Sequence, residues 1–208
     1  MNKIESIREV VLQPGDFHFG GARTRIRTLL GSCVSVTMWH PQKRIGGMCH
    51  YMLPSRSARQ DGLDGRYADE AIEMFMREIS GAGTRPSEYI VKAFGGGNMF
   101  PGIKKKHLQC GFHASPKEMC ACRDVACRNA GMAHELASRH GFEIEAHDLG
   151  GTGHRNVIFD IDTGHVWVRQ TPSVGEKGRM GNAIDARALT AWPEANVGLN
   201  RIRECHHA

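Results

Sequence analysis

A cysteine and a histidine in this sequence have the side chains needed for nucleophilic chemistry. Cys33 follows Gly31 and Ser32 at a sharp turn between two apolar segments, and His50 lies in the next segment. A free cysteine thiol has a pKa of about 8.5, so only a small fraction is thiolate at pH 7. It therefore needs a nearby base to become a nucleophile. These residue types predict attack on a carbonyl carbon by Cys33 with His50 as base. Backbone N–H groups around Ser32 and Cys33 could stabilise the oxyanion.

The same two residues also have a purely structural interpretation. Cysteine is among the residues most often buried, and a histidine in a strand is commonly a packed side chain with its hydrogen bonds satisfied. The local pattern by itself favours this interpretation over catalysis. The choice between the two therefore depends on the rest of the chain.

The elements that must position this pair are mainly strands. Alternating apolar residues and turn signals predict strands at 8–12, 25–30, 34–39, 45–54, 89–94, 142–146, 156–160 and 165–169. Helical spacing predicts helices over 65–80 and 129–140. Short polar turns indicate two hairpins, one joining 34–39 to 45–54 and the other joining 156–160 to 165–169. The expected fold class is therefore α+β.

Length and composition place limits on the organisation of the chain. The 208 residues, with 40% hydrophobic and 24% charged residues, predict one folded domain over 1–170 and a loosely ordered C-terminal extension over 171–208. No apolar run reaches the roughly 20 residues that cross a bilayer, and no signal-peptide core follows Met1, so we expect a cytoplasmic protein without membrane insertion. Seven cysteines are an odd number, which favours reduced thiols.

Other binding functions find little support in the pattern. The net charge of +5 and the run Lys104-Lys105-Lys106 could attract an acidic partner, but few aromatic residues lie among the basic ones, so nucleic-acid binding is not expected. Cysteines and histidines lie close together in one part of the sequence, at His107, Cys110, His113, Cys120, Cys122 and Cys127. They lack the paired spacing of zinc sites, so no metal is predicted. The glycines at 95–97 lack a nucleotide-binding motif, so no cofactor is predicted.

Four segments, in this order, resemble the CheD family of chemoreceptor glutamine deamidases. They are Thr28-Leu-Leu-Gly-Ser-Cys-Val-Ser-Val36, Gly46-Gly-Met-Cys-His-Tyr-Met-Leu-Pro54, Phe94-Gly-Gly-Gly-Asn-Met-Phe100, and the stretch from Gly150-Gly151 through Phe159 to Thr163-Gly164. The resemblance covers about residues 8–170. The chain departs from the family at Ala126-Cys127, where a glycine-bearing turn usually precedes the Arg-Asn that opens a helix.

The resemblance implies both a fold and a reaction. The fold would be a mixed, layered α/β sandwich similar to that of the cytotoxic necrotizing factor deamidase toxins. The reaction would be hydrolysis of glutamine side chains to glutamate on methyl-accepting chemoreceptors, with Cys33 as nucleophile, His50 as base and Thr28 as the third catalytic residue, and without a cofactor. The alternative is a non-catalytic chemotaxis adaptor that binds receptors or a CheC-type phosphatase.

Overall fold

The computed structural model describes residues 6–58, 61–100 and 124–171, and the backbone of 202–204. One five-stranded sheet has the order β1-β3-β8-β9-β10, formed by Arg8–Leu12, Thr24–Leu30, His154–Asp160, Val166–Thr171 and Ile202–Glu204. The other has the order β2-β5-β4-β6-β7, formed by Phe17–Gly21, Ile45–Cys49, Val34–His40, Ile90–Gly95 and Ile144–Leu149. The helices are α1, Ala68–Gly81, and α2, Val125–His140, and a 3₁₀ turn spans Pro86–Glu88.

The molecule has three layers because strand β4 is buried on both faces. On one face, Val34, Val36 and Met38 pack against apolar residues of α1 and α2, including Phe75 and Leu136. The opposite face of this sheet packs against the first sheet, in a second core that includes Phe94 from β6 and Ile26, Leu30, Val157 and Phe159 from the first sheet. Alternating side chains in one strand therefore contribute to two separate cores. The expected α+β layered fold is confirmed.

Most predicted elements are present with shifted ends. Both hairpins are confirmed as antiparallel pairs, β4 with β5 and β8 with β9. Strand β5 ends at Cys49, earlier than predicted, because the next backbone N–H, that of His50, donates to Asp16 instead (3.0 Å). Helix α2 begins at Val125 because Asp124 caps it by accepting from Ala126 N (2.9 Å). The predicted start at 129 was therefore wrong by about one turn.

Strands β2 and β10 were not expected from the sequence, whereas β1 was predicted. Strand β2 pairs antiparallel with β5, and β1 pairs in parallel with β3 on the other sheet. The backbone of β10 pairs antiparallel with β9, so these three residues of the predicted extension lie at the edge of the first sheet. Within the same extension the sequence also predicts a short helix near 183–191, and this segment lies outside the described residues. Within the described residues, neither helix combines the length and apolar character needed to cross a membrane.

Candidate functional site

Cys33 lies in the short turn that carries the chain from the first sheet to the second. Residues 31–33 join the end of β3 to the start of β4. Gly97 N donates to Gly31 O and Gly96 N donates to Cys33 O, both at 2.8 Å. A side chain at Gly95, which has a φ of +112°, would overlap the carbonyl oxygen of Cys33. The glycine-rich loop after β6 thus holds the turn by a close backbone approach that a larger residue would prevent.

His50 is held at the same end of the second sheet. Its backbone N–H donates to Asp16 O (3.0 Å), and its carbonyl accepts from Gly15 N (2.7 Å). These two bonds come from the turn between β1 and β2, so the unpredicted strand β2 helps to fix the histidine. The side chain is only 2% exposed. Its ring orientation is therefore set by contacts within the protein.

Thr28 fixes which ring nitrogen of His50 carries the proton. The Thr28 Oγ1 atom lies 2.8 Å from His50 Nδ1, and it donates its single hydrogen to Leu12 O (2.9 Å). Since that hydroxyl hydrogen is already used, Thr28 can only accept from the ring, and Nδ1 must carry the proton. The other nitrogen, Nε2, is then an acceptor, and it is buried without a hydrogen-bond partner among the described residues.

Strand pairing places Cys33 and His50 on the same face of the second sheet. Val34 and Tyr51 form an antiparallel bridge, with both backbone bonds at 2.9–3.0 Å. Cys33 and His50 each precede one of these residues, so they are diagonal neighbours, which lie roughly 7–8 Å apart in such ladders and within reach of a ring. Cys33 packs against the core between the sheets, and His50 reaches Thr28 on the first sheet. Both side chains therefore face the space between the sheets.

Burial keeps both groups neutral near pH 7. It raises the pKa of the Cys33 thiol, although the Cys33 backbone N–H and the Ser32 hydroxyl oppose this by hydrogen bonding to the sulfur. Burial lowers the pKa of His50 to about 4, against smaller opposing effects of the Leu12 carbonyl and the Asp16 charge. The resting pair is thus a thiol and an imidazole rather than an ion pair. This arrangement allows the imidazole to take the thiol proton during attack on a substrate.

Of the three site residues predicted from the sequence, Thr28 and His50 are in hydrogen-bond contact, and Cys33 lies on the same face of the second sheet as His50. Asn129, which is fully buried on α2, was not among the site residues predicted from the sequence. Its amide nitrogen donates to Ser32 O (3.0 Å) and to Met52 O (2.7 Å). The only signal in the sequence was its place beside Arg128 near the start of the predicted second helix.

Most of the other predicted candidates lie in a part of the chain that the structure does not describe. Cys127 is a half-buried cysteine on α2. The remaining members of the predicted cysteine and histidine cluster, and the basic run 104–106, lie outside the described residues. Within the described ranges, no three His, Cys, Asp or Glu side chains group as a metal site would require. A groove of about 430 Å³ lies between the helices, lined mainly by charged residues such as Glu70 and Arg139, and it includes neither Cys33 nor His50.

A family model and the curated relatives of this chain point to the same protein family. The model of the family described as CheD chemotactic sensory transduction matches residues 52–170. A protein of Pseudomonas savastanoi pv. phaseolicola named "Probable chemoreceptor glutamine deamidase CheD" is 50% identical over 173 residues, covering 83% of this chain and 90% of the relative. A protein of the same name from Pseudomonas syringae pv. syringae is 49% identical over 172 residues, with the same coverage. A relative from Dechloromonas aromatica, "Probable chemoreceptor glutamine deamidase CheD 3", is 44% identical over 163 residues, covering 78% of this chain and 87% of the relative.

Proposed function

The chain belongs to the CheD family, and on that basis we propose that it hydrolyses glutamine side chains of chemoreceptors to glutamate. The observation that carries the proposal is the hydrogen bond between Thr28 and His50, which leaves Nε2 as a free acceptor on the face that holds Cys33. A thiol next to a neutral, oriented imidazole is the combination that amide hydrolysis through a thioester requires. Each event releases ammonia and adds one negative charge to the receptor.

The first half of the reaction forms the thioester. The Cys33 sulfur attacks the carboxamide carbon while His50 Nε2 takes the thiol proton. The negative charge that develops on the amide oxygen needs backbone donors, and the N–H groups of the Gly31–Cys33 turn are the candidates. His50 then gives its proton to the amide nitrogen, the carbon–nitrogen bond breaks, and ammonia leaves.

The second half returns the enzyme to its starting state. His50 Nε2 takes a proton from water, and the resulting hydroxide attacks the thioester carbon. The carbon–sulfur bond breaks, the sulfur takes back the proton, and glutamate is released. Thr28 accepts the Nδ1 hydrogen throughout, which keeps the ring in one tautomer and orientation. These three roles need neither a metal nor an organic cofactor.

Ammonia release from a receptor cytoplasmic fragment tests the proposal. We expect release with the wild-type chain and none with Cys33→Ala, together with conversion of specific glutamines to glutamate in peptide mass spectra. Cys127→Ala, which removes another half-buried thiol, is the matched control and should retain activity. Equal conversion by wild type and Cys33→Ala would contradict the proposed nucleophile.

The same experiment separates the enzyme from the adaptor. If the chain binds receptor fragments or a CheC-type phosphatase but converts no glutamine on several receptors, the adaptor is the better description. Retention of Cys33 and His50 together favours the enzyme, because an adaptor has no physical need for a thiol beside an unpaired imidazole nitrogen. Binding to a CheC-type phosphatase is a separate proposal, which a pull-down with the purified partner would test.

We also propose residues 1–170 as the deamidase domain and 171–208 as an extension to it. The family match supports this boundary because it ends at residue 170. We place the protein in the cytoplasm, where reduced thiols are stable. The reduced thiols of Cys33 and Cys49 fit that compartment.

A further inference from the structure

The buried amide of Asn129 connects the two segments that carry Cys33 and His50. Its side chain has no exposed surface. Both groups that face its nitrogen are backbone carbonyls, Ser32 O at 3.0 Å and Met52 O at 2.7 Å. A carbonyl can only accept, so the nitrogen must face them and both of its hydrogens are used. Asn129 therefore joins the segment of Cys33 to the segment of His50 through one side chain.

Helix α2 is itself anchored at the same residue. The Tyr51 hydroxyl donates to Asn129 O at 2.8 Å, from the strand segment between His50 and Met52. Tyr51 is fully buried and bridges to Val34, the residue after Cys33. The backbone and the side chain of Asn129 are therefore both tied to the paired segments of the site. This leaves the amide little freedom to move away from them.

The bond to Ser32 O also determines where the Cys33 N–H points. Ser32 C=O and Cys33 N–H belong to one peptide unit, and the structure contains no cis peptide bond among the described residues. In a planar trans peptide the C=O and N–H point in opposite directions. Fixing the carbonyl toward α2 therefore fixes the N–H on the opposite side. Burial raises the pKa of the Cys33 thiol, and this N–H is one of the two groups that act against that rise.

We propose that Asn129 is a positioning residue that sets the relative placement of Cys33 and His50 and aims the Cys33 N–H at the negative charge of the reaction. This inference rests on the proposed function, since it takes Cys33 and His50 as the reacting groups. Misplacement of reacting groups by about 1 Å can cost about 10²-fold in rate. Removing the amide should thus lower kcat far more than it changes KM.

The test compares two substitutions of Asn129 with a control on the same helix. Asn129→Ala removes both donors, and Asn129→Asp keeps the shape but turns carboxylate oxygen toward two carbonyls. Ala133→Gly weakens α2 one turn further on, at a residue whose methyl side chain can make no hydrogen bond to either segment. We expect kcat for ammonia release to fall about 10²-fold in both Asn129 variants, with KM within about threefold of wild type. Ala133→Gly should retain most of kcat.

A second measurement reports on the Cys33 N–H directly and needs no substrate. The rate of Cys33 alkylation is followed against pH, with the Cys33 peptide quantified by mass spectrometry. Losing a donor to the sulfur disfavours the thiolate, so the alkylation profile of both Asn129 variants should move to higher pH. The Ala133→Gly profile should match wild type. If Asn129→Ala does not fold, Asn129→Asp still provides both measurements.

The outcomes distinguish this inference from the proposed function. An Asn129 variant with an unchanged alkylation profile, or with a loss of kcat no greater than that of an equally destabilised Ala133→Gly protein, would overturn the positioning role. Absence of ammonia release from wild type would count against the proposed function. In that case the shifted alkylation profile would still support control of Cys33 by Asn129, and an unshifted one would overturn it.

Discussion

Protonation of His50 should destabilise the fold in a pH range that can be stated in advance. An ordinary histidine titrates near pH 6.5, whereas burial lowers the pKa of His50 to about 4. Between these values the unfolded chain binds a proton that the folded chain excludes. The stabilisation is therefore complete above about pH 6.5 and is lost as the pH falls toward 4.

The size of the effect follows from the same two pKa values. Each tenfold difference in proton affinity between the folded and unfolded states is worth about 1.4 kcal/mol, so the full effect is about 3 kcal/mol. Roughly 1.4 kcal/mol should be gone at pH 5.5 and roughly 2.5 kcal/mol at pH 4.5. This is a large part of the stability of about 5–15 kcal/mol that is usual for a domain.

The assay is urea unfolding of wild type and His50→Gln at pH 7.5, 6.5, 5.5 and 4.5. Other histidines with a lowered pKa, His18, His134 and His140, are present in both proteins, so their effects cancel in the difference. The free energy of unfolding of wild type relative to His50→Gln should fall by the amounts given above. Parallel pH profiles of the two proteins would refute the reasoning, because they would mean that His50 is protonated as easily in the fold as in the unfolded chain.

Three further substitutions follow from contacts in the structure. Thr28→Val removes the acceptor for His50 Nδ1, so kcat for ammonia release should fall about 10²-fold with little change in KM; Thr37→Val, at another buried threonine, should not do this. Gly164→Ala would push a methyl group into the ring of Trp39 at a φ of +74°, and urea unfolding should show a loss of about 1–3 kcal/mol. Arg155→Met removes the buried ion-pair partner of Asp148 (2.9 Å), and urea unfolding should show a loss of about 3–5 kcal/mol in the free energy of unfolding. The double variant with Asp148→Asn should regain part of that stability.

The strands that the sequence predicted well are those with a clean local pattern. Val34, Val36 and Met38 alternate with polar residues, and the structure places them together in one core. Both hairpins followed from a polar turn between two such segments. The alternation of apolar and polar residues did not predict that the other face of β4 is buried as well, because the first sheet covers that face. The stacking of the two sheets depends on strands that are far apart in the chain, so the pattern of one strand cannot predict it.

The elements that the sequence missed lack such a pattern. Strand β2 contains Phe17 and Phe19 but ends in two glycines, which weaken a strand signal. Its pairing with β5 depends on Gly47, where a side chain would overlap the backbone of His18. The cap at Asp124 was a readable signal for the start of α2. The hydrogen bonds of the Asn129 side chain could not be predicted from the sequence, because their acceptors lie 97 and 77 positions away in the chain.

The third member of the site is a hydroxyl rather than a carboxylate, and this choice fits the neutral resting state. A buried carboxylate at the position of Thr28 would favour the imidazolium and raise the pKa of His50. A thiolate would then be stable before substrate arrives. The Thr28 hydroxyl orients the ring equally well but adds no charge, so burial dominates and His50 stays neutral. In the mechanism that we propose, the nucleophile is therefore formed only during attack, when His50 takes the proton and the turn that Asn129 holds supplies its N–H to the growing charge.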